Sequence, residues 1–334
     1  MDRIGCFFMT ARTFGDLEAK ILHAETLGYE AVGLPQIAGR DAMTTLALVA
    51  PKTSRITLAT GIVPIWTRTP VTLAQEAGVL NEATAGRFWL GVGVGHEPLV
   101  TSWHGQDFRK PLTAMRDYLT ILRASFRDAQ VAHDGEMYRA HFGFLGFRPI
   151  AEQKILVGAL GPKMCELAGE MADGIVLWMS SPRHIREVVM PHLAIGAARA
   201  GRDVSDLEVL PCLFAAPGSD RASARDAVRR QMFAYLQLPF YRNMLIDSGF
   251  ADDIAAFDEG VAAQDLPRSL AGLSDAMIDE MAATGSFDDI AATLRAFRDA
   301  GATMPGVGAL GGYEGYEGSI RSLELLREAD TVAG

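Results

Sequence analysis

Short apolar runs alternate along this chain with longer stretches whose apolar positions recur every three or four residues. The runs at 4–9, 31–34, 56–63, 87–94, 154–159, 174–178, 207–215 and 303–309 read as strands. Amphipathic patterns between them predict helices. The first covers 14–27 and stops at Gly28, a residue that suits the left-handed turn after a helix. Further helices are expected at 41–50, from Pro70 onward, at 111–126, at 162–171 and at 182–200. Proline suits the first helical position because the N–H there has no intrahelical partner. Continuously apolar strands imply a parallel sheet buried on both faces. Eight strand–helix units fit a (β/α)8 TIM barrel, one α/β domain over 1–334; a doubly wound open sheet is the alternative. Two stretches interrupt the rhythm. Residues 128–153 are rich in aromatics and glycine and hold no clear helix, and 217–285 are helical and Met-rich. Insertions of this length in a barrel commonly serve substrate or oligomer contacts, and both are expected to close over substrate.

The composition narrows the function classes. A hydrophobic fraction of 49% with 22% charged residues suits a large core. The net charge of −10 argues against nucleic acid, which is held by Lys and Arg on phosphates. An anionic ligand must then meet a local positive patch. Cys6, Cys165 and Cys212 are odd in number and lack metal spacing, so they read as reduced thiols of a cytoplasmic protein, with Cys6 in a buried strand. The chain start lacks a basic, then long apolar, leader pattern, and no stretch approaches the ~18 apolar residues that cross a membrane.

Candidate chemistry gathers at the strand ends. Gly91-Val92-Gly93-Val94-Gly95-His96-Glu97 closes strand four. It departs from a dinucleotide fingerprint, since His96 stands where glycine is needed and Glu97-Pro98 is expected to continue as a loop. Alternating glycine strips one face of a strand so that a flat ring can approach; a tightly packed barrel strand is the other reading. Gly161-Pro162-Lys163 opens a helix after strand five, where N–H groups and a lysine can meet an anion; an ordinary strand-to-helix turn is the alternative. Gly61 inside strand three suggests a bulge, with Trp66 and Arg68 beyond it; Arg68 can equally be a salt-bridge residue. His96, Glu97, His104, Gln36, Arg40 and Asp41 all fall near strand ends, and His96 is best suited to exchange protons near neutral pH. HExxH, Walker A, GxSxG and Cys/His metal patterns are absent, so no metal is expected.

Four pieces, in order, resemble the luciferase-like flavin-dependent oxidoreductases, and among them the coenzyme F420-dependent branch. They are Gly39-Arg40-Asp41 with Thr53-Ser54-Arg55; Thr60-Gly61-Ile62 with Arg68-Thr69-Pro70; Ala85-Gly86-Arg87-Phe88 with Leu90-Gly91-Val92-Gly93; and Val157 through Met164 with Ala172-Asp173-Gly174. Pro305-Gly306-Val307-Gly308 is a weaker fifth. The resemblance implies a (β/α)8 barrel, a homodimer, and a cis peptide at Gly61–Ile62 behind the deazaflavin. It implies a ring site at Gly61, Ile62, Gly93 and Gly95, and tail phosphate at Gly161, Pro162 and Lys163. Two departures stand out. The family often has Glu directly after the strand-four glycines, whereas here His96 precedes Glu97. Strand two often ends in an acid or His, whereas here it ends in Gln36. His96, Glu97 and Gln36 are thus the catalytic candidates, and Met9, Trp66 and Trp178 the substrate-pocket candidates. The activity implied is hydride transfer between F420 and a small organic substrate. The rivals are an FMN-dependent monooxygenase using oxygen and a non-catalytic binding subunit.

Overall fold

A computed structural model of the chain describes residues 3–9, 11–218, 220–309 and 315–333. The chain divides into two compact units. One holds Phe7–Val176 with Pro191–Glu208; the other holds residues up to 6, Leu177–Met190 and everything from 209 onward.

The strands are β1 (Gly5–Phe7), β2 (Ala31–Leu34), β3 (Thr57–Thr60), β4 (Phe88–Gly93), β5 (Lys154–Gly158), β6 (Gly174–Trp178), β7 (Glu208–Pro217) and β8 (Gly306–Ala309). Their order is β7-β8-β1-β2-β3-β4-β5-β6, and β6 also pairs with β7, which makes a closed ring of eight. The ladders β1–β8, β7–β8, β2–β3, β3–β4, β4–β5 and β5–β6 are parallel. This is the expected (β/α)8 barrel. Its strands are buried nearly throughout, as their unbroken apolar runs require.

The helices α1 (Phe14–Thr26), α2 (Ala42–Val49), α3 (Pro70–Ala83), α4 (Pro111–Asp128) and α5 (Pro162–Met171) begin where the sequence marks them. Thr13 and Asp16 form a reciprocal capping box at the start of α1. Gly28 beyond it adopts φ 80°, the left-handed turn that glycine enters without a side-chain clash. The sidechains of Asp41 and Thr69 cap α2 and α3.

Four details depart from the sequence reading. Residues 128–153 contain an antiparallel hairpin, Val131–Asp134 with Arg139–Phe142. The helix expected over 182–200 carries a π-turn at Ile185–Val189. The 217–285 insertion folds as helices at Arg221–Tyr235, Pro239–Asp247, Ala251–Ala262, Leu266–Ala271 and Asp275–Met281, and adds a short strand, Ala282–Gly285, alongside β7. A short helix, Glu97–Ser102, follows β4 after three intervening residues, where Glu97-Pro98 was expected to continue as a loop, because Glu97 and Pro98 both suit a first helical turn.

Candidate active site

The site grows from a bulge in the third strand. Leu58 and Ala59 lie opposite Phe88 and Trp89, and beyond the bulge Val63 and Pro64 lie opposite Val92 and Gly93. Four steps on one strand thus match three on the other, leaving one residue extra. The fully buried Thr60 repairs the ladder. Its hydroxyl accepts from the Gly91 N–H at 2.8 Å and donates to the Gly91 carbonyl at 2.8 Å. The Gly61–Ile62 peptide is cis, as the family resemblance implies. Strand β2 brackets the bulge: Gly61 N–H donates to the Leu34 carbonyl at 2.9 Å, and Gln36 N–H donates to the Ile62 carbonyl at 3.0 Å.

This geometry changes the meaning of the strand-four glycines. A Cβ at Gly91 would stand 2.0 Å from the Thr60 carbonyl oxygen. One at Gly93 would stand 2.7 Å from Ile62 Cδ1, and one at Gly158 3.2 Å from Ile62 Cγ2. The alternation therefore admits the bulge and the Ile62 side chain, and does not leave a bare face for a ring. The open face lies at Gly61 itself, where an added Cβ meets nothing within 4 Å.

Around the bulge the candidates take different parts. Gln36 accepts the Ala42 N–H on its side-chain oxygen at 3.2 Å and so caps α2. Beside it, Phe8, Met9, Leu34, Pro35, Arg40 and Thr45 line a cleft. The Arg40 guanidinium ties back to the Ala11 and Arg12 carbonyls at 2.9 and 3.0 Å. Gly95, at φ 66°, turns the chain into His96, which stands at the N-terminus of the short helix and is half-buried. Burial pushes its imidazole below the ordinary value, so the neutral ring is favoured. Glu97 and His104 are exposed. Trp66 reaches across to donate its indole N–H to the Val94 carbonyl at 2.8 Å, one residue before Gly95.

Gly161 opens α5 with no side-chain cap bond. Lys163 does not sit on that turn alone. Its ammonium pairs with Glu166 at 3.1 Å while staying 74% exposed. Glu166, 7% exposed, also meets Arg199 at 2.8 Å and His192 at 3.1 Å. Hydrogen bonds from Arg199 and Lys163 lead in holding its carboxyl at about 2. Trp178 belongs to the other unit, where it packs edge-on to Phe214 at 4.8 Å and against Tyr235 at 5.5 Å. Arg68 is the salt-bridge residue its alternative reading described, pairing with Asp41 and with Glu76. Sequence reasoning missed Thr60 and the tyrosines behind the loop after the bulge. Only the three-dimensional pairing brings Thr60 to Gly91. Among the described residues no His/Cys/Asp/Glu group could hold a metal.

A model of the luciferase-like monooxygenase family matches residues 2–304. The chain belongs to this family. Its relatives include 5,10-methylenetetrahydromethanopterin reductase of Methanolobus tindarius, 30% identical over 85% of this chain and 88% of the relative. The luciferase-like fold recurs in the coenzyme F420-dependent tetrahydromethanopterin reductase of Methanopyrus kandleri, with a TM-score of 0.82 at 20% identity over 98% of both chains. It also matches an F420-dependent secondary alcohol dehydrogenase in complex with an F420-acetone adduct, with a TM-score of 0.78 at 17% identity over 100% of both chains.

Proposed function

We propose that this luciferase-like protein is an oxidoreductase that transfers a hydride between coenzyme F420 and a small organic substrate. The observation that carries the reading is the bulge: an open face at Gly61 beside the wall made by Ile62. That shape fits a flat tricyclic ring. The α5 N-terminus at Gly161 has no side-chain cap, which suits an anionic tail. The reductase and alcohol dehydrogenase it resembles use F420 by name.

When bound, the deazaflavin supplies the hydride chemistry. Gly61, Ile62, Gly93 and Gly95 would hold the ring, Ile62 by direct contact and the glycines by admitting the bulge and the turn. Gly161, Pro162 and Lys163 would frame the phosphate, with backbone N–H groups foremost because Lys163 is shared with Glu166. Met9 and Trp66 would border the substrate. His96 would hold or release the substrate proton, with Glu97 and Gln36 in subsidiary roles, Gln36 through its cap on α2. We read the chain as one domain over 1–334, a cytoplasmic homodimer without nucleic-acid partners. The acidic balance speaks against nucleic acid, and the free cysteines suit a reducing compartment.

Titration with F420 tests the proposal. Micromolar binding, followed by loss of the oxidised cofactor's absorbance on adding an oxidisable alcohol or on supplying a reduced carbon substrate, is expected. Absence of binding at micromolar levels would sink it. The second reading, an FMN-dependent monooxygenase, follows from the family description. It predicts oxygen uptake that depends on reduced FMN, which a deazaflavin enzyme would not show. A non-catalytic subunit should present a filled pocket, and the open space at Gly61 argues against one.

A further inference from the structure

The 128–153 insertion is built as a strut. Its hairpin is clamped to α4 by one buried carboxylate. Asp117 accepts from His133 Nε2 at 3.1 Å, from the Met137 N–H at 2.8 Å and from the Tyr138 N–H at 3.2 Å. The turn lies so close that a Cβ on Gly135 would stand 2.3 Å from the Asp117 carboxyl carbon. This anchoring delivers Tyr138 inward. Its hydroxyl donates to the Ile65 carbonyl at 2.8 Å, and its ring stands edge-on to Tyr118, with centroids 5.1 Å apart at 85°. The Tyr118 hydroxyl donates to the Arg68 carbonyl at 3.1 Å.

Two tyrosines from behind therefore pin both ends of residues 65–68. The front of that loop faces the candidate site. Ile65 N–H donates to the Gly93 carbonyl at 3.0 Å, Thr67 closes the turn on the Pro64 carbonyl at 3.0 Å, and Trp66 spans to Val94 at 2.8 Å. Burial pushes the Tyr138 hydroxyl up to about 12, so it remains a donor throughout the working range.

We propose that Tyr138 is a positioning residue: carried by the anchored hairpin, it sets the 65–68 loop and, through Trp66, the Val94–His96 turn. The hairpin of the insertion thus shapes the site from behind. The functional consequence rests on the reading that F420 binds beside that turn, whereas the effect on Trp66 does not.

Four proteins decide it: the unaltered chain, Tyr138→Phe, Trp66→Phe and the double variant. Tyr138→Phe keeps the ring on Tyr118 and removes one hydroxyl. Trp66 fluorescence, isolated by subtracting the Trp66→Phe signal, should be quenched by acrylamide about twofold more readily in Tyr138→Phe, as loss of one buried hydrogen bond loosens the loop. The F420 dissociation constant should rise about threefold when Trp66 is present, with less than half that factor in the Trp66→Phe background. A purely structural tyrosine would lower the melting temperature while leaving Trp66 quenching unchanged, and its effect on F420 would be equal in both backgrounds. Either result overturns the proposal. If the unaltered chain fails to bind F420, the functional reading falls, and the quenching comparison still decides whether Tyr138 positions Trp66.

Discussion

Thr60 concentrates the physics of the site in one hydroxyl. Strand β3 loses register at the bulge, and a buried N–H and carbonyl on Gly91 would go unpaired without it. Unpaired buried polar groups each carry a desolvation cost, so Thr60→Val should destabilise the fold by roughly 2–3 kcal/mol, with Thr60→Ser recovering most of the loss. Urea midpoints of the three proteins check this; a valine variant as stable as the original would refute the role. His96 supports a second expectation. Burial lowers its folded pKa below the ordinary 6.5. The unfolded chain then takes up its proton first as pH falls, so this group contributes stability that is present above 6.5 and is lost as pH drops through the window just beneath it. In the folded enzyme burial keeps the neutral ring favoured to lower pH than for an ordinary histidine, so if His96 accepts the substrate proton, as proposed, that turnover direction should fall off only at correspondingly lower pH. Pre-steady-state rates across pH should show that acid limb, and His96→Gln should lack it. An unchanged limb in the variant would assign the proton to another group.

At the scale of elements, the legible features were those written in contiguous residues. The eight apolar runs became strands because burial on both faces needs unbroken hydrophobicity, and each Pro-opened helix began where its missing N–H costs nothing. Gly61 signalled a bulge for the same local reason. What the glycines at 91 and 93 make room for was hidden, since it depends on a partner strand about thirty residues away and on a one-residue change of register. The hairpin was hidden differently. Its strands, Val-Ala-His-Asp and Arg-Ala-His-Phe, are short and half-exposed, and Asp117 holds them from another element. The Glu166 cluster was also out of reach, because Lys163, His192 and Arg199 meet only in the fold. It carries its own prediction. The Glu166 carboxyl is lowered from 4.5 to about 2, so its contribution to stability is present above 4.5 and is lost as pH falls toward 2. Glu166→Gln should flatten the acid limb of the thermal-stability profile over that window, and added salt should narrow the gap between the two proteins at neutral pH. A variant whose acid limb matches the original would show that Arg199 and Lys163 do not stabilise the carboxylate.

For the whole molecule, the barrel was legible because eight repeats of one unit leave few ways to close a parallel sheet. A homodimer is implied only by the family resemblance, and the surface adds a physical argument for it. On α2 and α3, which pack against each other, Leu48 is 54% exposed and Val79 is 62% exposed. Large apolar side chains on adjoining helices suit burial against a second surface, and a self-complementary patch on two copies of one chain makes a closed dimer. A stable contact of that kind buries on the order of 1,200–2,000 Å² in total, enough for a charge at its centre to be costly. The expectation is therefore a species of twice the 36.0 kDa chain mass in sedimentation equilibrium, and a shift toward 36.0 kDa in the Leu48→Glu/Val79→Glu variant with its circular dichroism unchanged. Sedimentation of the unaltered chain at 36.0 kDa would remove the dimer, and a variant that stays at twice that mass would move its interface to another face. Since both positions lie on the outer helices and not at the bulge, a monomeric variant that still binds F420 would also show that the cofactor site is complete within one chain.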